Sequence, residues 1–499
     1  MPPDAGAETS RSTGFASLDQ RFLGSAAWTG GSRALLLLLG LVVTATLARL
    51  LAPADYGLMG MAMVFIGLVN QARDLGIGQA VIQRPTVTPE IQSQAFTLSV
   101  LVAFGLFSIC WLGAPLVALV YGEPRVAPVV RLLALTFPLT AFQVLPLALL
   151  RRQLRLRGEA ISRTVATLVD SIATIALAWN GYGVWALAIG AIANGLIFAA
   201  GLAWFMPWRP RLRLYGGDGR SLLRFGGGVT LSSFLWYIYS NADLFLIGRV
   251  LGSGALGLYT MTWTLAKMPW SQVWIALNPM VLPLFSRSRD ERGGMARPLI
   301  LLNHRLALLT FPTLVGLMVV AGDVVPLFLG PRWSGIVGPL RWLCLFGLVR
   351  TATLLLSPAL LAAGRVARDV LFNGVCVAVL PIAFLVASRW GVAAVAAVWA
   401  LIYPLLAAMV LLPPALRASG TTPGRYLSAF ARPAAATAIM AAAVLGIDRV
   451  SGLTGWLSLL QSISTGILAY GITIRLLEGP GLLRHLRGLI SGARAGAGV

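Results

Sequence analysis

The residues of this sequence best suited to chemistry are ionisable side chains inside long apolar stretches. Arg33, Lys267 and Arg350 each interrupt such a stretch. A charge at the centre of a membrane helix costs about 2.5–3.5 kcal/mol on insertion scales, so residues that bear this cost are candidates for a functional cavity. Arg contacts phosphate oxygens bidentately and Lys acts as a point charge. We therefore expect these three side chains to line a central cavity and to bind a diphosphate.

Four further polar residues also fall within or beside apolar stretches. Asp170 is central in its stretch, Asp243 follows Asn241 by two positions, and Asp74 lies near the end of another stretch. We interpret all four as possible coupling groups or charge partners. The alternative to a diphosphate site is that Asp170 and Asp243 neutralise the buried cations in structural salt bridges.

Other kinds of site find little support in the sequence. His304 and His485 are far apart, and the three cysteines, Cys110, Cys344 and Cys376, fall inside apolar segments, so no cluster has the spacing of metal ligands. No segment has the pattern of a phosphate-binding nucleotide loop. We expect no catalytic residues, no metal, no cofactor and no enzymatic activity.

Aromatic residues are concentrated in one part of the chain. Sugar rings stack well on aromatic faces, so these residues could form a path for a glycan, although membrane-interface belts and packing also use them. The residues are Trp236, Tyr237, Tyr239, Trp263, Trp270 and Trp274.

The elements that position these residues are predicted to be transmembrane helices. The chain has 499 residues, of which 58% are hydrophobic and 11% charged, and its mean hydropathy is +0.82. Apolar stretches of about 20 residues recur throughout, and each can cross a bilayer. We predict an all-α polytopic membrane protein of about fourteen spans. The spans are 28–50, 57–72, 94–120, 128–150, 161–179, 183–206, 222–248, 257–284, 301–328, 335–363, 368–388, 391–415, 427–447 and 454–474.

The net charge of +22 comes from Arg residues in the connectors between apolar segments rather than from one basic domain. Alternate connectors are rich in Arg, whereas the intervening ones are short and poor in charge. By the positive-inside rule this pattern places both termini in the cytoplasm, in a multi-pass protein of the bacterial inner membrane. It also argues against a nucleic-acid partner.

An internal repeat divides the chain into two halves. Residues 49–61 and 249–261 match at an offset of 200, with Arg, Leu, Gly, Leu and Met identical at 49/249, 51/251, 57/257, 58/258 and 61/261. Six predicted helices separate the copies, so both enter the membrane in the same direction. A parallel repeat of this kind predicts a site between the halves near the midplane and transport by alternating access.

The repeat and the spans together predict the domain organisation. We expect two six-helix lobes related by a pseudo-two-fold axis, followed by two additional helices. The segments are a cytoplasmic N-terminal segment (1–27), an N-lobe (28–206), a cytoplasmic linker (207–221), a C-lobe (222–415), the additional helices (416–477) and a cytoplasmic tail (478–499).

Several motifs resemble those of polysaccharide flippases of the Wzx type. Residues 47–57 (LARLLAPADYG) resemble the end of the first helix of that family, as do residues 74–84 (DLGIGQAVIQR) in the same half. Residues 241–252 (NADLFLIGRVLG), followed by 256–259 (LGLY), resemble the corresponding signature of the second half, and 279–286 (PMVLPLFS) resembles the end of the eighth helix. The resemblance runs from about residue 18 to residue 416.

The resemblance implies the fold of the multidrug/oligosaccharidyl-lipid/polysaccharide (MOP) exporter superfamily. It also implies a function, translocation of an undecaprenyl-diphosphate-linked oligosaccharide from the cytoplasmic to the periplasmic leaflet for exopolysaccharide, O-antigen or capsule synthesis. A polysaccharide polymerase and chain-length proteins are then possible partners. Four alternatives stay open at this point: a cation-coupled multidrug exporter, a lipid II flippase, a membrane glycan polymerase, and a scaffold of an export complex.

Overall fold

The computed structural model describes residues 39–71, 77–84, 86–208, 218–289 and 294–478. Within these ranges the chain is almost entirely helical and contains no β-strand, as an all-α membrane protein requires.

In the described part of the first half there are eight helices. They are α1 (Leu39–Leu50), α2 (Pro53–Asn70), α3 (Ile77–Gln83), α4 (Pro89–Tyr121), α5 (Val126–Ala134), α6 (Thr136–Arg152), α7 (Leu156–Trp179) and α8 (Val184–Phe205).

The second half begins with the longest helix and includes short π and 3₁₀ turns. Its α-helices are α9 (Asp218–Ser288), α10 (Ala296–Val324), α11 (Val337–Thr353), α12 (Leu356–Ala362), α13 (Val366–Ala387), α14 (Val392–Leu406), α15 (Leu412–Ser419), α16 (Pro423–Ser451) and α17 (Gly455–Glu478). The π turns are Val325–Leu329 and Ala407–Leu411, and the 3₁₀ turns are Pro331–Ile336 and Ser388–Trp390.

Eleven helices of the described part are long and apolar enough to cross a membrane, or twelve if the bent pair α1 and α2 forms one span. The chain is therefore a multi-pass membrane protein. That tally takes α9 as one helix, although its backbone leaves helical geometry at Gly252, with φ 82° and ψ −179°. The bend divides α9 into a first arm (218–251) and a second arm (253–288), which overlap the predicted spans 222–248 and 257–284. The number of fourteen spans stays a prediction, as do the domain boundaries.

One carboxylate of the first motif caps two helices. Asp55 Oδ2 accepts a hydrogen bond from the backbone N–H of Ala52 at the start of α2 (3.0 Å), and Oδ1 accepts one from the N–H of Val184, the first residue of α8 (3.1 Å). Free N–H groups and the positive end of the helix dipole both favour an anion at a helix N-terminus. Pro53 suits the same position because it has no N–H that would need a partner.

The two copies of the sequence repeat cross each other where α2 packs on α9. A Cβ atom at Gly57 would overlap the backbone carbonyl oxygen of Ser253, and one at Gly257 would overlap that of Pro53. Because 253 and 53 also differ by 200, each contact is the counterpart of the other with the two halves exchanged. The glycines allow the two backbones to touch, as small residues do where membrane helices pack closely.

The first helix is joined to the second half at the same end of the molecule. The Arg49 guanidinium donates to the carbonyls of Phe328 (3.2 Å) and Leu327 (2.5 Å), which end the helix that continues α10. The indole N–H of Trp333 donates to the carbonyl of Ala48 (2.7 Å). A cation at a helix C-terminus is favoured by the helix dipole, so Arg49 stabilises the contact between the halves.

The last two helices, α16 and α17, pack on α10 through polar contacts. His304 Nδ1 donates to the carbonyl of Ala429 on α16 (2.7 Å), and its Nε2 lies 2.5 Å from Glu478 Oε1 on α17. The Tyr470 hydroxyl donates to the carbonyl of Leu308 (2.8 Å). These contacts attach the additional helices to the second half of the chain.

Candidate functional site

Several polar residues of the second half line a cavity of about 280 Å³, which we call the aromatic cavity. Its walls are the two arms of α9 together with α11 and α14. The lining residues are Trp236, Tyr239, Ser240, Asn241, Leu244, Thr260, Trp263, Thr264, Lys267, Trp270, Phe346, Arg350, Trp399 and Tyr403. All belong to the second half of the chain, whereas the repeat predicted a site between the halves.

Lys267 is an unpaired cation of this cavity. It lies on the second arm of α9, and its side chain is exposed rather than packed away. Within the described ranges its ammonium group has no hydrogen bond or ion pair with the protein. Its three N–H donors are therefore available to a ligand.

Arg350 enters the same cavity from α11. Its Nη1 donates to the Tyr403 hydroxyl on α14 (3.0 Å), and its Cζ lies 5.9 Å from the centroid of the Trp270 ring. The tyrosine hydroxyl and the indole face orient the guanidinium without neutralising it, since neither is an anion. Arg has five N–H donors, and within the described ranges the others make no hydrogen bond to the protein, so they can bind a ligand.

Asp243 lies behind the cavity wall and is fully buried. Its Oδ2 accepts from the Tyr259 hydroxyl (2.7 Å) and from the indole N–H groups of Trp263 (3.0 Å) and Trp399 (2.7 Å). Its Oδ1 accepts from the backbone N–H of Leu244 (2.8 Å). Four donors thus satisfy the carboxylate, and the group fixes the orientation of two indole rings that line the cavity.

The aspartates do not pair with the cavity cations. In the described part of the chain, no ion pair joins Lys267 or Arg350 to Asp170 or Asp243. No Asp or Glu is among the lining residues, so the cavity presents two positive groups and no facing negative one. Such a site, walled by apolar rings in a low-dielectric interior, focuses a field that attracts anions.

Asp170 has a different environment in the first half of the molecule. It lies on α7, where its Oδ1 accepts from the Thr174 hydroxyl (3.1 Å) and its Oδ2 from the Asn194 amide on α8 (3.5 Å). The structure does not bring Asp170 to the aromatic cavity. Asn241, in contrast, lines the cavity, and its amide donates to the carbonyl of Tyr237 (2.9 Å). Arg33 and Asp74, the other two predicted site residues, lie outside the described residues.

Four of the six predicted aromatic residues line the cavity. Tyr237 and Trp274 do not, and the Tyr237 hydroxyl instead donates to the carbonyl of Val64 on α2 (2.9 Å). The sequence pattern missed Phe346, Trp399 and Tyr403, which come from helices distant in sequence. The spacing of Trp399 and Tyr403, four residues apart in an apolar stretch, places both on one helix face and was the available signal.

The aromatic rings form one connected wall. The rings of Trp263 and Trp399 meet edge to face, with centroids 5.7 Å apart and planes at 88°. Phe346 touches Trp399 and Tyr403 at centroid distances of 5.0 and 5.3 Å. A wall of rings beside two cations can bind a ligand that joins a flat apolar face to an anionic group. No group of three or more His, Cys, Asp or Glu side chains that could hold a metal lies in the described ranges.

Solved structures identify the class of protein that this fold defines. A lipid II flippase MurJ in an inward closed conformation superposes with a TM-score of 0.68, covering 91% of this chain and 98% of that one at 14% identity. An inward-facing multidrug resistance MATE family transporter of the MOP superfamily gives a TM-score of 0.58, covering 80% and 94% at 15% identity. The chain thus has the fold of MOP-superfamily membrane transporters, which confirms the predicted fold class.

Sequence comparison narrows this class to a family. The model of the family described as "Polysaccharide biosynthesis protein" matches residues 46–338, more than half of the chain, and the chain belongs to that family. It is 27% identical over 363 residues to the lipopolysaccharide biosynthesis protein WzxC of Escherichia coli K12, covering 72% of this chain and 73% of that protein. It is 24% identical over 354 residues to the teichuronic acid biosynthesis protein TuaB of Bacillus subtilis 168, covering 70% and 73%.

Proposed function

We propose that this protein flips undecaprenyl-diphosphate-linked oligosaccharide repeat units from the cytoplasmic to the periplasmic leaflet of the bacterial inner membrane. The observation that carries the proposal is the pair of cations, Lys267 and Arg350, which share an aromatic cavity and have no carboxylate partner among the described residues. The family and the fold support it, since relatives carry names of lipopolysaccharide, teichuronic acid and succinoglycan biosynthesis or transport.

The cavity matches the chemistry of the junction between the lipid and the glycan. A diphosphate carries negative charge and several acceptor oxygens, which suit the point charge of Lys267 and the planar donors of Arg350. The sugar next to the diphosphate presents one apolar face, which suits the rings of Trp263 and Trp270. The cavity thus recognises the part common to lipid-linked sugars, and the remaining glycan extends beyond it.

Transport follows from the two-half architecture. With the α2–α9 crossing closed, the cavity attracts the diphosphate from the cytoplasmic side. Rocking of the halves about this crossing opens the other side, and the bound head group is released there into the periplasmic leaflet. The protein acts as a transporter rather than an enzyme. Its products would pass to a polysaccharide polymerase and chain-length proteins, and both of its termini would lie in the cytoplasm.

Two of the alternative functions fit the cavity less well. A cation-coupled drug exporter favours a cavity that attracts positive drugs, whereas this one presents Lys267 and Arg350. A glycan polymerase needs acid–base groups placed around the sugar, and no carboxylate or imidazole is among the described residues that line the cavity. A lipid II flippase would use the same cations, because its cargo shares the polyprenyl diphosphate and differs in the group attached to it.

A knockout strain with leaflet-specific detection of lipid-linked oligosaccharide tests the proposal. We expect the knockout to lose surface polysaccharide and to retain the intermediate in the cytoplasmic leaflet, with recovery on complementation. If the intermediate instead reaches the periplasmic leaflet without being polymerised, another protein performs the transport, and the polymerase or scaffold function replaces the proposal.

A further inference from the structure

A second concave surface lies on the opposite side of the first arm of α9 from the aromatic cavity. It is a groove of about 410 Å³ between α2, this arm and α13. Its walls include Val64 on α2, Phe245 on α9, and Ile382 and Leu385 on α13. We call this surface the lateral groove.

The lining of the lateral groove suits a hydrocarbon. Of the described residues that line it, Tyr237 and Asn241 are the two with polar side-chain groups. The Tyr237 hydroxyl already donates to the carbonyl of Val64 (2.9 Å), and the Asn241 amide donates to the carbonyl of Tyr237 (2.9 Å). Ile382 is 65% exposed, so the groove is open to a ligand at the α13 side.

The lateral groove and the aromatic cavity meet at Asn241, which lines both. Along the first arm of α9, Trp236 and Ser240 line the cavity, while Ile238 and Ala242 line the groove. At 100° per residue these two sets lie on different faces of one helix, with Asn241 at the border between them. One elongated molecule can therefore contact both sites by passing around a single helix.

The groove also lies at the junction of the two halves, because α2 belongs to the first and α13 to the second. A substrate that places its diphosphate in the cavity must keep its long hydrocarbon chain in the bilayer, so the chain has to leave sideways between helices. The lateral groove offers such an exit beside the head-group site, and rocking of the halves changes its width.

We propose that the lateral groove holds the proximal isoprenoid units of the polyprenyl carrier whose diphosphate occupies the aromatic cavity. The inference rests on the proposed function and deepens it by assigning the place of the lipid. Bilayer lipid is as apolar as the groove, so the groove contributes shape and dispersion rather than a hydrophobic gain. It guides the chain during rocking and adds little affinity.

Filling the groove tests the proposal in proteoliposomes of the full-length protein. Ile382→Trp places a bulky ring in the opening, and Ile439→Trp on α16, at a site 50% exposed, is the matched control outside the groove. Flipping is measured with one diphosphate oligosaccharide carried on undecaprenol or on a two-isoprene chain. We expect Ile382→Trp to slow the long-chain substrate by roughly tenfold, to spare the short-chain one, and Ile439→Trp to change neither.

The alternative outcomes are distinct. If Ile382→Trp transports the long chain at the wild-type rate, or slows both substrates equally, the groove assignment is wrong while the proposed function stands. If the wild-type protein flips neither substrate, the proposed function fails, and the groove assignment with it. A photoreactive polyprenyl diphosphate should label α13 more strongly than a photoreactive phospholipid does, and equal labelling would indicate bulk lipid only.

Discussion

Gly57 lies directly against the backbone carbonyl of Ser253, and the equivalent contact recurs between Gly257 and Pro53. The repeat at an offset of 200 thus meets itself in space at the crossing of α2 and α9. Its glycines are explained by packing, since either Cβ would overlap a backbone atom that cannot move without moving a helix. This crossing is one of the contacts between the two halves of the molecule, in addition to those made by Arg49 and Trp333.

Replacing Gly57 or Gly257 with alanine should separate the two halves at the end of the molecule where α2 crosses α9. In Gly57→Ala or Gly257→Ala the new methyl group collides with a carbonyl oxygen, so the closed crossing is destabilised. The distance between spin labels at Asn180→Cys and Trp390→Cys should be longer in the alanine variants than in the protein that keeps both glycines. Transport in cells should be reduced. Gly105→Ala, where a Cβ meets nothing within 4 Å, is the control. Unchanged distances in both variants would show that the crossing is not a tight contact.

The two arginines of the repeat offer a matched pair. Arg49 bonds two carbonyls of the second half, whereas Arg249 is exposed and makes no hydrogen bond in the described ranges. Arg49→Ala should lower the apparent melting temperature and lengthen the distance between spin labels at residues 180 and 390. The free energy of unfolding should fall by about 1 kcal/mol, a small loss because the Arg49 side chain is exposed. Arg249→Ala should change neither. Equal effects of the two substitutions would contradict a specific role for Arg49.

Four hydrogen-bond donors surround Asp243, and we call them the Asp243 cage. This cage predicts that substitutions of Asp243 destabilise the protein to different degrees. Asp243→Ala leaves the Tyr259 hydroxyl and two indole N–H groups buried without an acceptor, at about 1–3 kcal/mol for each group, so this variant should be strongly destabilised. Asp243→Asn retains one acceptor oxygen toward these donors and should lose less. Thermal unfolding in detergent measures both. Asp448→Ala is the control, because within the described residues its carboxylate accepts a hydrogen bond from Ser462 and from no other group. A loss of stability in Asp448→Ala as large as that in Asp243→Ala would argue against the Asp243 cage.

Trp236 tests whether the aromatic wall contacts sugar. Its ring is 46% exposed at the cavity, so its removal should perturb the fold little. Trp236→Ala should reduce flipping of a diphosphate-linked oligosaccharide several-fold more than flipping of undecaprenyl diphosphate without sugar. Trp204→Ala on α8, at a residue 82% exposed, should affect neither. An equal loss for both substrates would assign Trp236 to the diphosphate or to packing.

The recurring apolar stretches were enough to predict an all-α membrane protein, because about 20 consecutive apolar residues have few other solutions in a membrane. The cost of a charge inside such a stretch led to the choice of Lys267 and Arg350. Both line the aromatic cavity, and their role in binding stays a prediction. The predicted span 128–150 is interrupted at Leu135, between α5 and α6. Pro138 explains this interruption from the local sequence, because it has no N–H to donate to the carbonyl of Ala134.

The composition of the cavity depended on tertiary packing. Trp399 and Tyr403 lie more than 100 residues after Trp263, and one sequence gives no sign that α14 packs against α9. The partners of Asp243 also could not be read from one sequence. The sequence suggested a salt bridge to a buried cation as one alternative, whereas the side-chain donors in the structure are a tyrosine hydroxyl and two indole N–H groups. Donors that are themselves apolar rings leave no charge pattern to detect.

The measurement that tests the central claim most directly is flipping of an undecaprenyl-diphosphate-linked oligosaccharide by the purified protein in proteoliposomes. We expect Lys267→Ala and Arg350→Ala each to reduce the flipping rate by roughly tenfold. Arg350→Lys should reduce the rate by a smaller factor, because it keeps the positive charge. Arg389→Ala, an exposed arginine outside the cavity, should behave like the wild type. Wild-type rates in the double variant Lys267→Ala/Arg350→Ala would contradict the claim that these cations bind the transported diphosphate.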